Sequence, residues 1–144
     1  MKLDSRDFSK KAYTALESFK DKKDQKSNKD NKTYLEKKYH KKASGLIQGL
    51  PAYISTWGLH RLSGDAKKFL NGTAEDTTYK GKVYQKFLHS LKEFSEKHNF
   101  NPDDEKTLIR MPLREYTGLN HLAIQFAKEW SFWAAAVLGE AEDS

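Results

Sequence analysis

The chain has 144 residues, the common size of one folded domain, and 26 Lys+Arg against 20 Asp+Glu leave a formal net charge of +6. Charged residues make up 32%, but aromatic residues make up 12%, so a modest core can be buried and wholesale disorder is excluded. The lack of any cysteine removes disulfides, thiolate metal sites and a Cys nucleophile, and fits a reducing, cytoplasmic setting.

The N-terminal run Met-Lys-Leu-Asp-Ser-Arg-Asp turns polar before an apolar stretch develops. The richest apolar segment, 122–138, contains Gln125, Lys128 and Glu129. Neither a signal peptide nor a membrane span is expected. Residues 1–50 carry 14 basic and 7 acidic side chains, residues 51–100 carry 8 and 5, and residues 101–144 carry 4 and 8. A basic front and an acidic back suggest a polyanion partner or weak head-to-tail contact between copies, with plain solubility as the alternative.

The first periodic segment sets Phe8, Ala12, Ala15, Leu16 and Phe19 at helical spacing behind Asp4 or Ser5 as cap, which predicts a helix over 5–20. Residues 21–32 contain no large apolar side chain and alternate Lys with Asp, Asn and Ser, as a flexible polar segment does. From Thr33 the periodicity resumes through Leu35, Tyr39, Ala43, Leu46 and Leu50, predicting a second helix that kinks at Pro51 and closes at Gly58. Residues 59–70 read as a third helix, with Asn71-Gly72 as a left-handed stop.

Tyr79, Val83, Tyr84, Phe87, Leu88, Leu91 and Phe94 cover about half a helical wheel, the pattern of a central helix broken near residues 98–100. Asn101-Pro102-Asp103-Asp104-Glu105 is a start signal for a short helix to about Arg110. After Pro112 one stripe runs from Tyr116 through Leu119, Leu122, Phe126, Trp130, Trp133 and Val137 to Leu138 and stops at Gly139. No segment alternates with period two between hairpin turns. The fold class is therefore all-α: a single domain over 1–144, a compact bundle of five or six helices with a long C-terminal helix.

No glycine loop of the phosphate-cradling type occurs, and no two histidines stand four apart. Asp103, Asp104 and Glu105 are explained by a helix start without Mg²⁺. No catalytic constellation, metal site or cofactor is expected, and the chain reads as a non-enzyme. Lys37, Lys38, Lys41 and Lys42 share the arc opposite Leu35, Tyr39, Ala43 and Leu46, beside Gly45 and Gly49. That arrangement suits sequence-independent phosphate binding, helped by Arg61, Lys67 and Lys68 on the following helices; a merely solvated face is the alternative. On the last helix His121, Gln125, Lys128 and Phe132 align opposite the core stripe, as a contact surface for a protein partner or a nucleobase, unless another helix covers them.

Leu50-Pro51-Ala52-Tyr53-Ile54 followed by Gly58-Leu59 resembles the LPAxI…GL signature of the small α-helical subunit, the fifth-named Cmr protein, of type III-B CRISPR effector complexes. The order of elements is also similar over about 33–138, including Tyr116, Leu119, and Trp130 before Ala134-Ala135-Ala136-Val137-Leu138. Trp57 stands where the family often has Asn, and Ser131-Phe132-Trp133 replaces the basic residues that commonly follow the late Trp. The resemblance implies a non-catalytic antiviral-defence subunit that stacks beside guide RNA, helps hold target RNA and contacts other Cmr subunits. The residues alone leave open a free-standing helical nucleic-acid-binding regulator or a protein-interaction module. A base-reading regulator is the poorer fit, because the cations are mostly Lys and only four Arg occur.

Overall fold

The computed structural model describes residues 4–23, 31–95 and 99–141. Among them seven α-helices form one all-α bundle without a strand, apart from an isolated Asn101–Asp104 bridge. The count exceeds the expected five or six because Gly49 divides the second helix from the segment that follows it.

Helix α1 (Ser5–Ser18) opens where Asp4 Oδ1 accepts the Arg6 backbone N–H at 2.9 Å. It stops short of residue 20 because the Phe19 and Lys20 N–H groups bond three residues back, which tightens the last turn. Ala12, Ala15, Leu16 and Phe19 are buried along its inner face. Most of the polar segment 21–32 lies outside the described residues. At its far end the Asn31 side-chain amide donates to Ser18 O (2.7 Å) and Asp21 O (3.1 Å), tying the returning chain to the end of α1.

The expected helix from Thr33 begins four residues late. Leu35 N–H is committed to Phe19 O at 2.8 Å, and Asn31 Oδ1 accepts from both Thr33 N–H and Thr33 Oγ1, so local bonds outcompete the helical ladder. Helicity starts with a 3₁₀ turn at Lys37–Tyr39 and continues as α2 (His40–Gln48). After Gly49 the chain re-enters as α3 (Leu50–Trp57), with Pro51 in the first turn, where its missing N–H costs nothing.

Gly58 then turns the corner into α4 (Leu59–Leu70) at φ +88° and ψ 160°, a region open essentially to glycine alone. The left-handed stop expected at Asn71-Gly72 is absent. Asn71 has φ −80°, Gly72 has no positive φ, and the Gly72 N–H closes a tight turn on Phe69 O at 3.3 Å instead.

Helix α5 (Glu75–Phe94) is the core helix expected: Val83, Phe87, Leu88 and Leu91 are fully buried. Buried Gly81 lets the end of α4 lie directly on α5, since a Cβ there would sit 2.8 Å from Leu70 N and Cγ. Helix α6 (Lys106–Ile109) follows the Asn101–Asp104 turn, and α7 (Leu113–Leu138) closes at Gly139, φ +97°. Helix α7 packs on α1, α2 and α3, while α5 packs on α4 and also meets α1 and α2. Their shared core is aromatic, with Trp130 against Phe87 (5.2 Å), Phe126 (6.0 Å) and Phe19 (6.1 Å). No described helix is long and apolar enough to cross a membrane.

Candidate nucleic-acid interface

The lysine ridge is set by what lies beneath it. Tyr39 is buried and stacks on Tyr79 of α5 at 5.3 Å, His40 Nε2 lies 2.8 Å from Leu35 O, and Ala43, Ser44 and Ile47 are buried one and two turns on. With that face anchored, Lys37, Lys38, Lys41 and Lys42 all point to solvent. Lys38 Nζ lies 5.1 Å from the Tyr39 ring centroid and 3.7 Å from Glu36 Oε2. The stem of Lys41 runs beside Gly139 at the end of α7. Gly49 is exposed and Gly45 half-buried, so the backbone surface next to the ridge is low. Ammonium groups so presented act as point charges toward a polyanion and cannot read base edges.

Arg61, Lys67 and Lys68 are exposed on α4, which packs on α5 without extended contact with α2. These three cations stand on a different helix from the ridge. Arg61 lies over the Trp57 ring at 4.9 Å, Lys67 pairs with Glu105 at 3.3 Å, and Lys68 and Lys80 both approach the Phe69 ring.

The α7 face divides as well. His121, Gln125 and Lys128 line an open groove of about 610 Å³ against Phe8 of α1, clipped by a 2.6 Å hydrogen bond from Ser9 Oγ to Glu129. Phe132 lies beyond the groove, 71% exposed, packed edge-on against Trp133, which in turn meets Tyr13 of α1. Trp57 (52% exposed) beside the Gly58 corner and Leu113 (79%) at the start of α7 are further exposed apolar side chains, and at the corner Tyr116 Oη lies 2.6 Å from His60 Nδ1. The sequence assigns no contact role to Tyr13, Trp57 or Leu113, since none of them falls on the periodic stripes.

The acids of 103–105 are engaged structurally. Asp103 Oδ1 accepts from Gln85 Nε2 and His89 Nε2, both at 2.9 Å; burial pushes its pKa upward, and these bonds outweigh that and leave it lowered. Asp104 caps the Lys106 N–H at 3.0 Å. Among the described residues no three His, Asp or Glu side chains gather as metal ligands. Comparison with protein-family models and with curated proteins finds no match to this chain.

Proposed function

We propose that this chain is a non-catalytic structural subunit of a type III-B CRISPR (Cmr) ribonucleoprotein, holding guide or target RNA by its backbone. The observation that carries the reading is the ridge of Lys37, Lys38, Lys41 and Lys42, four exposed cations within six residues on a face fixed by buried Tyr39 and Ala43. The segment 50–59, with its Leu-Pro-Ala-x-Ile and Gly-Leu, supports the assignment to that class of complex. Two apolar sites on one helix support stacking of copies: Leu113 and Phe132 are separated by about 28 Å along α7 at 1.5 Å per residue. A contact joining one site to the other is heterologous and need not close, so the rest of the complex sets the copy number.

The test is RNA affinity over a salt series. About four phosphate contacts on single-stranded RNA give a log-affinity slope near −3 against log salt. Replacing all four lysines by Gln keeps helix propensity and removes the charge. The variant is expected to lose most of the slope and to bind weakly at all salt concentrations. Unchanged slope and affinity would leave the ridge as a solvated face.

A further inference from the structure

Beside the lysine ridge is a slot of about 170 Å³ between the extended segment before the 3₁₀ turn and the first turns of α5. Its walls include Tyr34, Tyr39 and Tyr79, with Thr78 at the α5 side. Tyr39 and Tyr79 stack on each other and are nearly buried, so half-buried Tyr34 is the most accessible of the three rings lining the slot. The volume is below the roughly 300–1,000 Å³ that encloses a drug-sized ligand, and suits a single planar ring system.

The surroundings are cationic. Lys82 Nζ lines the slot and donates to Tyr34 O at 3.0 Å, Lys22 Nζ stands 5.9 Å from the Tyr34 ring centroid, and Lys37 and Lys38 immediately follow Glu36 at the rim. Two carboxylates stand among these cations: Glu36 lines the slot with Lys38 3.7 Å from it, and Asp76 Oδ1 accepts from the Tyr39 hydroxyl at 3.5 Å. An accessible tyrosine ring beside ammonium groups is the combination by which proteins hold single-stranded nucleic acid without regard to sequence: phosphates meet cations while a base stacks on an aromatic face.

We infer that this slot takes one unpaired base of the RNA whose backbone the lysine ridge holds. The inference rests on the backbone-binding reading above and adds a second, aromatic contact to it. Stacking tolerates any base, because every base has a π-face. The slot therefore favours the presence of a base rather than its identity.

The experiment compares a ten-nucleotide oligoadenylate with a ribose-phosphate oligomer of equal length lacking bases, each titrated into the full-length protein over a salt series. Wild type is expected to bind the oligoadenylate roughly tenfold tighter, with the same salt slope for both probes. Tyr34→Leu, which removes the accessible ring, and Thr78→Phe, which fills the slot from the half-exposed start of α5, are each expected to erase that preference and keep the slope. If circular dichroism shows that Tyr34→Leu does not fold, Thr78→Phe decides alone. Equal wild-type binding of both probes with the slope intact overturns the slot and leaves the backbone reading standing, an outcome that also follows if the slot takes an aromatic side chain of a partner protein. No salt-dependent binding of either probe overturns both.

Discussion

Gly58→Ala isolates the α3–α4 corner that brings the two halves of the bundle together. Glycine alone tolerates φ +88° with ψ 160°, and holding another residue there costs on the order of 1–3 kcal/mol. An added Cβ also falls inside van der Waals contact of Tyr116 Oη and 3.0 Å from the His60 ring, so the 2.6 Å His60–Tyr116 hydrogen bond must give way at about 0.5–1.5 kcal/mol. The combined loss is about 1.5–4.5 kcal/mol, which lowers the melting temperature by roughly 5–14 °C for a domain of this size. Gly64→Ala is the internal control. Its Cβ meets nothing within 4 Å in the middle of α4, so it should stabilise by about 0.5–1 kcal/mol. Urea titration of both variants, repeated for Gly58→Ala in a Tyr116→Phe background, separates strain from collision: the second background should recover the hydrogen-bond share and leave the dihedral share. A Gly58→Ala midpoint equal to wild type would refute the reasoning.

Three further outcomes are expected. Because the Asp103 pKa is lowered in the folded state, its contribution is present above the ordinary carboxylate value and lost as pH falls through the folded one. The stability gap between wild type and Asp103→Asn should thus be present near neutral pH and close in acid as the folded-state carboxylate protonates, which denaturant midpoints across pH will check. Burial, then the negative charge of Asp65, holds the Tyr84 hydroxyl up to about 12, and burial with a hydrogen bond to Asp65 raises Tyr53 as well. The contribution of these two hydroxyls to stability is therefore constant below about pH 10 and lost above it, and phenolate absorbance of these two rings should appear only with loss of the helical signal. For self-association, Leu113→Lys and Phe132→Lys should each abolish weak assembly in sedimentation, while a mixture of the two variants should form dimers and nothing longer, since one intact site of each kind remains; assembly unaffected by either change would rule out these sites.

The architecture was legible because burial writes a period into the sequence. The stripe of α7 and the half-wheel of α5 place Phe126, Trp130, Val83 and Phe87 in the core where the spacing puts them. Boundaries set by distant atoms were not legible. The delay at Thr33 depends on Phe19 O and Asn31, and the tight turn at Gly72 replaces a stop that its Asn-Gly pair advertises. Likewise the lysine ridge follows from local spacing, so all four side chains are exposed as expected. That Arg61, Lys67 and Lys68 meet Trp57, Glu105 and Phe69 is a property of the fold. The tyrosine slot joins residues 34–39 to residues 78–82, two segments with no shared signal in the chain.

The most direct test of the proposed role is purification of the tagged chain from its native cell at moderate salt, with sequencing of the bound RNA and mass spectrometry of the bound proteins. The account predicts recovery of guide RNA together with the other Cmr subunits in a defined particle, and loss of RNA crosslinks to this chain when Lys37, Lys38, Lys41 and Lys42 are replaced by Gln. Recovery of the chain by itself, free of RNA and of those subunits, would contradict it.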